Sequence, residues 1–409
     1  MQTPVTSGAE AAPSRPPRLY YLDWLRVIAT IGVFLFHASN VFSTGDFEIK
    51  NVERSEAITM IQGFIFPWGM PLFFLIAGAG AWFALRRRTA GQFTRERTLR
   101  VLVPFFTGTI LLGPIQLYLS WRHRTETGLI DWTFPQFVAE RLSSIGPKLF
   151  GAIGYHMWFL GYLFAFSLLA VPLFVWLKGD AGRRVVVRLA RLSERSGGIL
   201  LFIFPLAAVR LLLHPFFPLE HDWADFFFFG AFFVLGYLLY ADERFTRAIR
   251  RDWWIVLTVG AAVTVAAFAL IMSLESVDIE APPRTFNEFL MWGLIAACGW
   301  CWTAFMLFVG MRTMDRDSRA LRYGQEVILP FFVIHQPVIL TIAYFAVQWD
   351  TGMWPKVAAV FVGSFLVSLG LVEFVIRRVG ILRTVFGMKT AATGMPAAAA
   401  DASTPVASG

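Results

Sequence analysis

The sequence predicts an all-α, polytopic integral membrane bundle of about ten transmembrane helices with both termini cytoplasmic. Three observations predict it. Of 409 residues, 56% are hydrophobic and 16% charged, whereas a soluble chain carries roughly a quarter charged residues. The apolar residues fall in runs of about 17–25, the length that crosses a hydrocarbon core at 1.5 Å per residue. The Lys and Arg residues stand between those runs and favour every second gap, the asymmetry that orients membrane helices.

Spans are expected near 24–42, 58–84, 101–120, 155–177, 199–217, 223–241, 253–272, 287–311, 326–347 and 356–376. The fifth is the weakest, because Arg210, His214 and Pro215 interrupt it. Pro67 and Pro71 should kink the second span, and Pro104 and Pro114 the third. With the N-terminus inside, the internal segments hold 26 Lys and Arg against 8 outside, and Arg26 and Arg210 lie within spans. The net charge of +8 is therefore read as membrane orientation and not as nucleic-acid binding. Forty-two Phe and fifteen Trp suit a lipid-facing surface and its interfacial belts.

The Pro- and Ala-rich residues 1–18 read as a disordered tail without the apolar core of a signal peptide, and 386–409 as a second tail around a single transmembrane domain, 19–385. The long external loop 121–154 has the spacing of a short amphipathic helix, serving as connector or lid. Cys298 and Cys301 lie within an apolar run as small packing residues. No metal-ligand spacing and no phosphate-cradling glycine loop is visible, so neither a metal nor a resident cofactor is expected. Glu275, Asp278 and Glu280 read as solvated loop charges, and Phe226–Phe229 as a lipid-facing or packing surface.

Ionisable groups inside a membrane are costly and face a cavity or a partner, so the search for chemistry starts with them. Arg26 and His37 on the first span are eleven residues apart, about three helical turns, and so share a face about 16 Å apart along the axis. Arg26 can snorkel to the surface or pair with Asp23. His37 is too deep to snorkel. His335 lies mid-span on the ninth helix, His156 at the outer mouth of the fourth beside Trp158, and Arg210 and His214 within reach of Asp222 or Asp225.

Arg26, ten intervening residues and His37, preceded by LDWLR, resemble the first helix of the membrane acyltransferase-3 family. Residues 93–104, FTRERTLRVLVP, resemble that family's basic loop leading into a helix. HMWFL at 156–160 is similar to the His-Leu-Trp-Phe-Leu segment of the branch that includes glucan-succinylating proteins, and LPFFVIHQPVI at 329–339 to the family's late helix with its His-x-Pro. The resemblance runs from about 18 to 385. This chain departs from the family in its Arg95-Glu96-Arg97, where the family's basic run is unbroken.

The resemblance implies an O-acyltransferase in the bacterial inner membrane that moves an acyl group from acyl-CoA to a hydroxyl of a glycan or glycosylated small molecule. Arg95, Arg97 and Arg100 would bind the donor's phosphates, with Arg97 and Arg100 on one helical face, since guanidinium forks match phosphate oxygens. The alternative for these arginines is that they only set topology. His37 would act as general base or acyl carrier, with Arg26 stabilising charge or seating the donor. His335 would line the same cavity, orient His37 or contact the acceptor, or else make a helix-packing hydrogen bond, and His156 and Trp158 would meet a sugar-like acceptor, or His156 would anchor the span at the interface. Buried His and Arg with Pro-broken helices also suit a proton-coupled secondary transporter, the alternative class.

Overall fold

The computed structural model describes residues 18–124, 133–136, 155–274 and 281–388. Residues 1–17 and 389–409 of the two expected tails, most of the 121–154 loop and Glu275, Asp278 and Glu280 lie outside the described residues, whereas Phe386 and Met388, at the start of the second expected tail, are buried. Helices account for the fold, and no strand occurs among the described residues. They are α1 Tyr20–Asn40, α2 Glu56–Leu85, α3 Ala90–His123, α4 Trp158–Leu169, α5 Val171–Lys178, α6 Asp180–Ser193, α7 Gly198–Leu213, α8 Trp223–Ala241, α9 Glu243–Arg251, α10 Trp253–Ser273, α11 Phe286–Thr313, α12 Arg319–Ala346, α13 Met353–Ile376 and α14 Gly380–Val385.

Among the described residues, eight of these helices are long and apolar enough to cross a membrane: α1, α2, α3, α8, α10, α11, α12 and α13. The pair α4 and α5, bent by 43°, makes a ninth. The bend follows from Pro172, which lacks the N–H that would continue the hydrogen-bond ladder and crowds the preceding turn. The expected fifth span is the shorter α7, about 24 Å long at 1.5 Å per residue. It runs antiparallel to α8. Beyond the end of α7, the chain folds back so that Arg210 meets Asp225, while Gly197 before its start bonds Asp252 beyond the far end of α8.

Two stretches expected as loops are helices. α6 buries Gly182, Val186, Ala190 and Ser193 on one stripe, and α9 buries Phe245, Ala248 and Ile249, so each turns its arginines outward. They meet where Arg251 donates to the Ser193 carbonyl. The basic stretch at 90–100 is the start of α3, opened by a Thr89–Gln92 capping box. α3 then widens into a π turn over Thr98–Leu102 just before Pro104. α2 runs through Pro67 and Pro71 as one helix.

Every segment expected inside lies at one end of the bundle. Lys178 donates to the Leu85 carbonyl, Trp24 to Arg316, Arg18 to Gln325 and Arg377 to Glu326. At the opposite end His123 accepts from the Lys50 amide and Glu53 from the Met353 amide. The described chain thus begins and ends at the arginine-rich end. The core centres on α2, α8 and α11. α2 and α8 pack most extensively, and their backbones nearly touch: a Cβ on Gly78 would stand 1.9 Å from the Phe233 carbonyl oxygen, and one on Gly236 2.0 Å from that of Leu75. Trp300, fully buried, donates to the Ile199 carbonyl, and the two free cysteines are buried in packing contacts.

Candidate active site

A cavity of about 1800 Å³ runs along one face of α1, past Leu25, Ile28, Gly32, Phe36, His37 and Asn40. It reaches Val309 and Met314 toward the arginine-rich end and Asp46, Glu220 and Asp222 at the opposite end. Ligand pockets for small molecules hold roughly 300–1,000 Å³, so this volume takes more than one reactant.

Beside the cavity, three histidines from distant parts of the sequence converge. The ring of His37 on α1 lies 5.4 Å from that of His335 on α12 and 6.4 Å from that of His156, with His156 and His335 5.0 Å apart. Pro337 explains part of the geometry. It has no N–H, so the carbonyl four residues earlier, at Val333, is left without its helical donor. His156 takes that place: its Nε2 stands 3.0 Å from the Val333 oxygen. His335 Nδ1 stands 2.6 Å from the Phe332 oxygen.

A carbonyl can only accept, so both of these nitrogens carry hydrogen, and the other nitrogen of each neutral ring holds a lone pair. Those atoms, His156 Nδ1 and His335 Nε2, are buried without a hydrogen-bond partner, as is His37 Nδ1. The site therefore holds two uncommitted acceptors, on His156 and His335, next to the His37 imidazole, which lines the cavity. No group of three or more His, Cys, Asp or Glu among the described residues is arranged to hold a metal.

The structure distributes the sequence-derived candidates unevenly. His37, His156 and Trp158 line the cavity, whereas His335 is fully buried behind them and does not. His156 is 4% exposed and sits within the cluster, deeper than the mouth position expected for it. Arg26, Arg95, Arg97 and Arg100 do not line the cavity. Arg26 bonds Asp23 at 3.3 Å, and its guanidinium reaches toward Gly80 on α2.

Glu96 divides the basic stretch. It pairs with Arg88 at 2.5 Å and Arg100 at 3.4 Å, while Arg97 makes no ion pair among the described residues, lies over the Phe93 ring at 4.9 Å and falls within electrostatic range of Arg26 and Arg100. The π turn widens the helical step between Arg97 and Arg100 and parts their side chains, where an unbroken helix would align them. Arg95 is exposed.

Arg210 pairs with Asp225 at 2.5 Å, and the His214 ring packs against that of Trp292 at 3.8 Å, tilted by 49°. Phe228 and Phe229, expected only to pack or face lipid, also line the cavity. The segment between α1 and α2 carries Asp46, Phe47 and Glu48 to the mouth, and Lys50 fastens it to the end of α1 through the Asn40 and Ser43 carbonyls. Burial pushes the Lys50 amine down to about 8.

Sequence reasoning missed Gln336, Tyr162 and His221. Gln336 is 2% exposed and lines the cavity, and its Oε1 has no partner. Its position directly after His335 in an apolar helix was the available signal.

The family model described as an acyltransferase domain, of acyltransferase family 3, matches residues 19–373. Proteins named glucans biosynthesis protein C from Salmonella agona and from strains of Salmonella paratyphi A are 25% identical to this chain over 343 residues, covering 79% of it and 83% of their own length. No solved structure matches this chain.

Proposed function

Because the chain belongs to the acyltransferase-3 family and is a multi-pass membrane acyltransferase, we propose that it moves an acyl group from acyl-CoA to a carbohydrate hydroxyl, with His37 as general base, in the bacterial inner membrane. The observation that carries this reading is the convergence of His37, His156 and His335 beside one large cavity. A base that accepts at Nε2 needs its hydrogen on Nδ1, and that hydrogen needs an acceptor. The lone pair on His335 Nε2 meets the requirement once the His37 ring turns toward it, so a neutral imidazole does here what a carboxylate does in a serine-hydrolase triad.

In the reaction, His37 Nε2 takes the proton of the acceptor hydroxyl as its oxygen bonds to the thioester carbonyl carbon. The tetrahedral intermediate collapses, the carbon–sulfur bond breaks, and the imidazolium returns the proton to the leaving thiolate. The products are the ester and free CoA. The Nδ1–H bond to His335 strengthens while His37 is charged. His156, held on Val333, packs against both rings and fixes their spacing.

Three further features support the donor, the acceptor and the orientation. The donor's phosphates match Arg97, which makes no ion pair among the described residues, together with Arg26 and Arg100 at the arginine-rich end. The clustering of basic segments at that end supports a cytoplasmic placement, where acyl-CoA is made. The relatives named for glucan biosynthesis support a glycan acceptor. The test is to incubate the purified protein with a panel of acyl-CoAs and glucan oligosaccharides and follow free thiol and ester formation. His37→Ala should lose transfer by about 10²–10⁴-fold while remaining inserted and folded. Wild-type transfer in that variant refutes the base.

A further inference from the structure

Among the described residues, one non-glycine residue has a positive φ: His221, at +62°. This left-handed conformation is unfavourable for a side chain with a Cβ and persists only where surroundings impose it, most often at functional sites. Here they impose it from both sides. The His221 N–H donates to Asp225 Oδ2 at 2.8 Å, and its carbonyl accepts from the Tyr162 hydroxyl. Asp225 is itself held by Arg210, whose guanidinium lies over the Phe228 and Trp292 rings at 4.7 and 4.8 Å. Burying an arginine and a carboxylate to hold one loop residue is costly unless the placement of that residue matters.

The result of that placement is a wall. The His221 ring lies 4.2 Å from the Trp158 ring at 35°, and Tyr162 meets Trp158 edge-on at 5.3 Å. All three line the same cavity as His37, and His221 is within electrostatic range of His37. Asp222 lines the cavity beside them. Deeper in, the buried Gln336 presents an unpartnered carbonyl oxygen. Flat aromatic faces with negative quadrupole potential attract the polarised C–H bonds of a pyranose, while carboxylate and amide groups at their edge take its hydroxyls.

We propose that Trp158, Tyr162 and His221 form the shelf on which a sugar ring of the acceptor lies, and that the Arg210–Asp225 pair holds His221 in place for this. The assignment deepens the proposed acyl-transfer reading by naming where its carbohydrate binds. It accounts for the left-handed residue, the buried ion pair and the aromatic wall together. Arg210 and Asp225 act as positioning residues.

The test measures binding without any acyl donor, so it is separable from transfer. The full chain in nanodiscs is titrated calorimetrically with a neutral linear glucohexaose, and separately with CoA. The wild type should bind the hexaose. Trp158→Ala, which removes the indole, should bind it about tenfold more weakly. His221→Asn is the second variant: Asn tolerates the left-handed backbone, so the loop stays, and the loss of the ring alone should produce a similar loss. CoA affinity should not change in either variant. Absence of hexaose binding at millimolar concentration in the wild type overturns the proposal, as does wild-type hexaose affinity in both variants. A loss of CoA affinity in place of hexaose affinity would assign the shelf to the donor's adenine and overturn it too. If the hexaose binds but no acyl-CoA releases thiol, the transfer reading fails and the shelf stands.

Discussion

His335 makes no contact with the cavity, yet the chemistry proposed for His37 depends on it, and His335→Asn isolates that dependence. The amide nitrogen of Asn can take the position of Nδ1 and keep the bond to the Phe332 carbonyl, now 2.6 Å long. What Asn lacks is an atom at Nε2, whose lone pair is buried without a partner in a ring centred 5.4 Å from that of His37. Deleting it removes the acceptor for His37 Nδ1–H. That hydrogen bond is made to a charged donor only once His37 has taken the acceptor's proton, so its loss falls on the transition state. A hydrogen bond to a charged group is worth about 1.5–3 kcal/mol, which at 1.36 kcal/mol per decade is roughly 10- to 150-fold in kcat. The KM for acyl-CoA should hold, because His335 is remote from the arginine-rich end. His335→Gln carries a carbonyl oxygen out to the Nε2 position and should recover a large part of the rate. The assay is thiol release from acyl-CoA with a glucan acceptor at saturation, with thermal unfolding of each variant alongside. A wild-type kcat for His335→Asn, or equal impairment of Asn and Gln in equally stable proteins, refutes the role given to the lone pair.

Two other perturbations separate donor binding from packing. Arg97→Ala should raise the KM for acyl-CoA about ten- to a hundredfold, the worth of a charge-assisted phosphate bond, while Arg95→Ala, exposed at the surface, should leave it near the wild-type value. Steady-state titration of the donor checks both. Gly236→Ala places a methyl group 2.0 Å from the Leu75 carbonyl oxygen, a backbone atom that can yield only if α2 and α8 separate, and should lower stability by about 1–3 kcal/mol. Gly113→Ala, with nothing within 4 Å of its Cβ, is the control, and thermal unfolding in detergent compares the two.

The membrane bundle was legible because hydropathy and loop charge act over whole segments. The features that escaped are those in which a few residues act against the segment around them. α7 was the weakest expected span because Arg210 and the residues after it interrupt the apolar pattern. Those interruptions are the ion pair and turn that carry His221, so the feature that weakened the span is the one that builds the site. α6 and α9 escaped because their arginines dominate the composition, and only a three- to four-residue spacing of small and apolar residues marks the buried stripe. The phase of Arg97 and Arg100 escaped because a π turn inserts itself between them, and the choice between Arg95 and Arg97 needed the positions of Arg88 and Arg26.

The histidines were all visible in the sequence, but their relation to one another was not, and Pro337 shows why. In a sequence, a proline in a membrane helix signals a kink. In this chain it also frees the Val333 carbonyl, which fixes the hydrogen of His156 on Nε2 and leaves Nδ1 as an acceptor inside the cluster. The His-x-Pro of α12 therefore supplies two things from one turn: His335 itself, and the anchor for a histidine 179 positions earlier in the chain. Such a bond has no local pattern, since its donor and acceptor are brought together only when α12 packs against the start of α4. A cluster built this way sets tautomers through backbone carbonyls, which cannot ionise, and it does so without placing a second charge beside His37. In a low-dielectric interior that matters: a carboxylate in the place of His335 would need its own desolvation offset before it could help, whereas a neutral imidazole orients the base and begins to count only when the base becomes charged.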